Sequence, residues 1–415
     1  MNKSPHYSEN VAKDMSRRAF TRGAALALAA SGLELRSLAQ PKKMHVAVIG
    51  AGAFGGWTAL QLQRRGARVT LIDAWGPGNS RASSGGETRV IRATYANAVY
   101  VDMTLRALEL WRENEKRWGL QLLHPTGVIW MSGKGDTFVP PAISHLKDRK
   151  LSFEQWTPAE ASRRYPQIDF SGIEFVLFER NAGFLLARRA CEAVWSAFVK
   201  EGGEHVQSAV EPGEILSGEL KNLKLSDGSH LTADRYVFAC GPWLGKLFPD
   251  VIGNRITPTR QEVFFFGTPA GDQRFTDAQM PVWADSSDTV FYGIPGNQWR
   301  GFKMADDTRG PVFDPTNGER TVSPEGLRTA REYLRRRFPA LRDAPLVESR
   351  VCQYENSPDG NYILDWHPHA RNVWLAGGGS GAGFKHGPAV GEHIARCMLG
   401  DTQPNQFFAL ARLKS

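Results

Sequence analysis

A short apolar run, a glycine-rich turn and a second apolar run ending in an acid constrain this chain more than any other feature. Met44–Ile49 is rich in Val and Ile and reads as a buried parallel strand. Gly50-Ala51-Gly52-Ala53-Phe54-Gly55 follows directly, and a helix must start there, with Ala59 and Gly66 spaced for close packing and then a stop. Arg68–Ile72 is the next apolar strand, and it ends at Asp73. A lone Gly-x-Gly-x-x-Gly carries little weight. Set between strand and helix, with an acid at the end of the second strand, it specifies a dinucleotide-binding unit. Gly50 makes the tight turn, Gly52 lets the backbone approach a pyrophosphate, and the helix start at Gly55 offers free N–H groups to the phosphates. Asp73 can accept hydrogen bonds from a ribose. Its carboxylate argues against a 2′-phosphate, but the motif leaves nicotinamide and flavin dinucleotides both open.

The rest of the chain must therefore be an α/β protein large enough to complete such a unit. Its 415 residues are 41% hydrophobic and 23% charged, an ordinary globular balance. No apolar run reaches the roughly 18 residues of a spanning helix, so a stable membrane span is not expected. The net charge of +8 is partly an N-terminal effect. Residues 1–39 carry a net +3, and the 45 basic and 40 acidic residues beyond them are interleaved. Nucleic acid is not an expected partner. Four cysteines exclude a disulfide scaffold. His367-x-His369 is the one close histidine pair, and its Pro-containing loop reads as a turn, so no metal site is expected.

Residues 1–39 read as an address. Ser16-Arg17-Arg18-Ala19-Phe20 precedes the apolar stretch Gly23–Leu33, and Ser37-Leu38-Ala39 offers a signal-peptidase site. The paired arginines resemble a twin-arginine export signal. That route carries folded proteins and suits a chain that takes up a large cofactor before export. A periplasmic or secreted location is the expectation.

Four further blocks decide the class. Gly86-Glu87-Thr88-Arg89-x-Ile91-Arg92 is a polar loop leading into an amphipathic helix flanked by Leu105, Leu108 and Trp111. Phe291-Tyr292-Gly293-Ile294-Pro295 is followed closely by Gly301-Phe302-Lys303. Cys352-Gln353-Tyr354 precedes Ser357-Pro358-Asp359 and Tyr362–Asp365. Val373–Gly377 is a strand that enters the loop Gly377-Gly378-Gly379-Ser380-Gly381-Ala382-Gly383, followed by Phe384, Lys385 and a helix from about 388 to 399. Taken together and in this order, the blocks resemble the family of monomeric sarcosine oxidase and N-methyltryptophan oxidase.

The resemblance covers roughly residues 44–415. It implies FAD, linked covalently through Cys352, and a flavin-facing segment containing Arg89. It also implies a second contact to the ADP half at the strand Tyr236–Ala239 and Gly241, and a loop at Gly379 and Gly381 against the ring. Arg92 and Lys385 fall on the family's substrate-carboxylate cations, Lys303 on its dioxygen-activating lysine, and Tyr292 and Tyr354 on pocket tyrosines. The implied fold is a Rossmann-like FAD-binding domain (42–122, 182–252 and 345–415) with a mainly antiparallel substrate domain (123–181 and 253–344). The implied activity is oxidation of a secondary amine or N-substituted amino acid carrying a carboxylate, with dioxygen as acceptor, by a monomer. A flavin dehydrogenase passing electrons to a quinone or carrier, and a flavin-binding protein without turnover, are the alternatives. Two departures bear on the substrate. The sarcosine oxidases have histidines where this chain has Gly85 and Asp307. Glycine would open space and the acid would attract a cationic side chain, so a larger amine is expected. Cys191 and Cys397 lie in helical patterns and read as core, Cys240 ends a strand, and no cysteines are expected to pair.

Overall fold

The computed structural model describes residues 43–413, and the export address at 1–39 lies outside them. Residues from Lys43 onward make one compact unit. It is built on two large sheets.

The first sheet carries the opening motif. His45–Ile49 is fully sequestered and pairs in parallel with Arg68–Asp73 on one side and Arg235–Phe238 on the other. Glu204–Gln207 extends one edge. Ala370–Gly377 extends the other in parallel, and Ile363–His367 turns back on it as an antiparallel hairpin. The apolar run Val46–Ile49 at the centre is what a sheet covered on both faces requires. Helix Ala53–Arg64 crosses one face and packs against helices Gly387–Leu399 and Ala187–Lys200. Cys191 and Cys397 are buried in those last two helices, as their patterning predicts, and all four cysteines are unpaired.

The second sheet has eight strands, ordered Leu346–Asn356, Thr257–Phe266, Phe302–Asp306, Phe291–Ile294, Val282–Asp285, Val128–Ser132, Phe175–Glu179 and Phe153–Trp156. All its pairings are antiparallel except that between Val282–Asp285 and Val128–Ser132. One face buries Phe264, Trp283 and Phe302 under helix Pro324–Arg337 and the Phe338 that ends it. That helix is anchored by Arg337 Nε, 2.9 Å from the buried Asp285 carboxylate. Tyr333 donates its hydroxyl to the same oxygen, so the buried charge is both paired and hydrogen-bonded. The strand Leu346–Asn356, which carries Cys352, belongs to this sheet and not to the first. Residues 345–356 were expected with the FAD-binding pieces; ten partners along Thr257–Phe266 hold them here instead. A small third sheet joins Thr88–Ile91, Gly183–Leu186 and Leu123–His124.

Candidate functional site

The opening turn forms as its composition dictates. Gly50 adopts φ +104°, and a Cβ there would come within 2.3 Å of the Ala239 carbonyl oxygen. Only glycine meets both conditions without strain. Gly55 is buried against the same turn, where a Cβ would sit 1.9 Å from the Gly50 carbonyl oxygen. The helix begins with no side-chain cap at Gly52 and no acid in its first turn. The Ala53 N–H is taken by the Ser84 hydroxyl at 3.1 Å, and the acid-free first turn beyond it suits an anionic ligand. Asp73 is used more heavily than its sequence position suggests. Its carboxylate accepts the N–H of Ala51 at 2.7 Å and those of Trp75 and Gly76 at 2.8 Å. It thereby ties the end of one strand to the turn after another while still lining the cavity.

That cavity opens to solvent and encloses about 240 Å³. Gly50, Gly52 and Asp73 line it, as do Ala239, Cys240 and Gly241. Arg89, Tyr292, Cys352, Tyr354, Gly379 and Gly381 belong to the same lining. Residues distant in sequence and from both large sheets thus share one cleft. Its glycine-lined walls beside an acid-free helix start fit a dinucleotide, and Cys352 lies in the same lining.

Arg89 does not reach into open space. Its guanidinium donates to the carbonyls of Ser83 (2.6 Å) and Thr88 (2.9 Å) and lies 3.5 Å from the Cys352 sulfur. Cys352 is half-buried, so its sulfur combines cation contact with access from the cavity. Tyr354 donates its hydroxyl to Asp307 at 2.6 Å. Solvent reaches Asp307 while protein crowds it; burial raises its carboxyl above the ordinary value, and the Tyr354 hydrogen bond opposes that shift. Burial, then Asp307, pushes the Tyr292 phenol up to about 12, so it stays protonated at neutral pH.

Besides Gly55, three expected residues, all cations, lie off the main cavity lining. Lys303 is 2% exposed, and its ammonium donates to the Thr88 carbonyl at 2.8 Å. Burial, then the positive charge of Arg89, holds it well below the usual lysine value. Lys385 is also buried, and its Nζ donates to the Tyr95 hydroxyl (3.0 Å) and the Ala382 carbonyl (2.9 Å). An ammonium has three N–H groups, so one remains. Burial lowers Lys385 too, with Tyr95 opposing. Arg92 donates to the Thr94 carbonyl and lies among aromatic rings, 4.1 Å from the Tyr95 centroid, 4.9 Å from Trp130 and 5.0 Å from Phe138.

Tyr95 was not singled out from the sequence, and it joins the two cations. One guanidinium lies over its ring and one ammonium on its hydroxyl. Burial pushes its phenol up, Lys385 and Arg92 pull it down, and the net lies below the usual tyrosine value. Behind it, the fully sequestered His386 bridges Tyr362 (2.6 Å) and Thr104 (2.7 Å). Glu179 was also missed. Its buried carboxylate accepts the N–H groups of Ala93 (2.6 Å) and Thr94 (3.0 Å) and the Thr94 hydroxyl (2.7 Å). An acid closing the otherwise apolar strand Phe175–Glu179 was the available signal.

Gly85 requires a correction. It does not open space for substrate: a Cβ there would meet the Asn79 carbonyl oxygen at 1.9 Å, so this glycine serves a tight backbone crossing. His367 and His369 lie at a hairpin turn, as read, with the His369 N–H donating to His367 Nδ1 at 3.1 Å. Among the described residues no cluster of metal-ligating side chains occurs.

A family model described as FAD dependent oxidoreductase matches residues 45–397. The chain is 30% identical over 362 residues to monomeric sarcosine oxidase of Bacillus sp. (strain B-0618), covering 85% of this chain and 92% of that protein. Its fold is that of L-proline dehydrogenase from P. horikoshii, with a TM-score of 0.78 at 21% identity over 90% of this chain and 98% of the other. Fructosamine oxidase from Aspergillus fumigatus superposes with a TM-score of 0.75 at 20% identity, covering 88% of each chain.

Proposed function

The chain belongs to the FAD-dependent oxidoreductase family, and from that premise we propose that it oxidises a secondary amine or N-substituted amino acid carrying a carboxylate. One observation carries this reading: a single cavity runs from the Gly50–Asp73 dinucleotide turn to Cys352 and two tyrosines. FAD, when bound, takes up a hydride equivalent and passes two electrons to dioxygen, giving hydrogen peroxide. Gly50, Gly52 and the helix start at Ala53 would hold its phosphates, with Gly55 allowing the turn to close against the helix. Gly241, Gly379 and Gly381 would flank it, and Cys352 would hold its ring by a thioether. Arg89 stands by that sulfur.

The substrate's carboxylate would be held by Arg92 and by the remaining N–H of Lys385. Such charge-assisted contacts fix orientation as well as affinity. Tyr292 and Tyr354 would bound the amine end. With the carboxylate fixed, the C–H bond next to nitrogen breaks with its electron pair leaving, the nitrogen lone pair forms C=N, and water hydrolyses the imine. Asp307 at the Tyr354 hydroxyl supports a substrate with an additional cationic or hydrogen-bonding group.

A panel of N-methyl and cyclic amino acids, mixed anaerobically with the purified protein, tests the reading. Bleaching of flavin absorbance by at least one of them, with one peroxide per substrate in air, is expected. Bleaching without peroxide would favour transfer to a quinone or carrier. The burial of Lys303 and its tie to Thr88 lend that second reading support, since burial disfavours the charge that would stabilise nascent superoxide. Residues 1–39 would export the folded, cofactor-loaded monomer to the periplasm or beyond.

A further inference from the structure

Glu355 follows Tyr354 on the strand Leu346–Asn356 and has no place in the chemistry above. It lines the cavity where three segments meet. A Cβ on Gly379 would lie 2.8 Å from its Oε1, and one on Gly241 would lie 3.5 Å from its Oε2. Its Oε2 is buried and has no hydrogen-bond partner. The glycine loop 377–383 brings no ionisable side chain to it. The turn 239–243 brings Cys240, a thiol that burial pushes up. Tyr362 is the other ionisable neighbour, a phenol that burial raises well above the ordinary value. Across the sheet it faces Pro258 on Thr257–Phe266. No cation acts on Glu355 from any of these elements, and only the N–H groups of Gly379 and Gly378 favour its charge.

A buried carboxylate without a cation is costly, and the group escapes that cost by holding its proton. Burial pushes this carboxyl up to about 7. The ligand expected in the cavity carries two phosphate charges of its own, which penalise a second anion further. An orphaned oxygen in such a wall is satisfied most simply as an O–H donor to that ligand.

We propose that Glu355 is a proton-bearing contact to the bound dinucleotide, a neutral carboxyl that donates its O–H to an oxygen of FAD and so makes the flavin's surroundings titrate with this one side chain. The proposal rests on the FAD reading. A neutral acid serves here because it gives a donor at low pH and becomes a repelling anion once its proton leaves.

The test uses the flavin-loaded protein. Flavin absorbance and fluorescence, followed between about pH 5.5 and about pH 9, should trace a single-proton curve centred at or above the carboxyl's apo value. Glu355→Gln keeps an N–H donor and cannot ionise, so it should hold the low-pH spectrum throughout. A flavin-loaded wild type with a flat profile would overturn the proposal, as would a curve that persists unchanged in Glu355→Gln. Should that variant fail to fold, infrared difference spectra of the wild type serve instead. They should show the C=O band of a protonated carboxyl at low pH giving way to carboxylate bands with the same midpoint, and its absence at low pH overturns the contact. Folded protein with no flavin at all would instead overturn the FAD reading beneath it.

Discussion

Glu179→Gln isolates what holds the carboxylate clamp in place. The wild-type carboxylate accepts three hydrogen bonds at Ala93 and Thr94, between Arg92 and Tyr95. Glutamine has the same shape but only one accepting oxygen, and its NH₂ would face an N–H or a hydroxyl. At least one buried backbone N–H is then left without an acceptor. Hydrogen bonds to a charged group contribute about 1.5–3 kcal/mol each, and an orphaned buried donor costs about 1–3 kcal/mol. Relief of the buried charge offsets part of this, because burial already raises the Glu179 carboxyl above its ordinary value. The expected net loss is on the order of 3 kcal/mol. Urea unfolding followed by tryptophan fluorescence would read it as a lower midpoint. Because the 93–94 segment carries Arg92 on one side and Tyr95 on the other, binding of a simple carboxylic acid, read from flavin absorbance, should weaken in parallel. A variant within about 0.5 kcal/mol of wild type, with unchanged carboxylate affinity, would refute the assignment of Glu179 as the anchor.

Tyr95→Phe removes the hydroxyl that Lys385 bonds and keeps the ring beneath Arg92. Carboxylate affinity, titrated in the same way, should fall about tenfold, and further in Tyr95→Leu, which loses the cation–π contact as well. Lys385 has its charge disfavoured by burial, so carboxylate binding should be strongest at low pH and be lost as pH rises through a value below that of an ordinary lysine; a constant affinity up to the ordinary value would contradict its role. Gly50→Ala forces a Cβ to within 2.3 Å of the Ala239 oxygen at φ +104°, so the variant should be destabilised by more than about 1 kcal/mol and retain little flavin. Lys303→Met should slow reoxidation by dioxygen in stopped flow far more than reduction by substrate, and equal effects would remove it from the oxygen step.

The sequence made the dinucleotide unit legible because its determinants are local. An apolar strand, a turn that only glycine can make and a helix start all lie within Met44–Asp73. The Phe-rich run Glu262–Gly267 supports a strand in the second sheet, while that sheet's antiparallel character is an implication of the family resemblance. Its membership could not be read. The strand Leu346–Asn356 pairs with a segment nearly a hundred residues earlier, and nothing in its own pattern distinguishes the two sheets. Side-chain aim was hidden for the same reason. Arg92 and Lys385 converge only because Tyr95 lies between them, and Lys303 turns to Thr88 because strand Thr88–Ile91 passes beside it. Gly85 illustrates the opposite failure: absence of a side chain suggested room, whereas a backbone crossing occupies it.

The account turns on a flavin seated beside Cys352, and one measurement addresses that directly. The purified protein would be precipitated with acid, the pellet and supernatant examined for flavin absorbance, and the pellet digested for peptide mass mapping. A yellow pellet, with the mass of the flavin on the peptide containing Cys352, is the predicted result. Yellow colour only in the supernatant would keep the cofactor and remove Cys352 as its tether. Colourless fractions from folded protein would contradict the account as a whole.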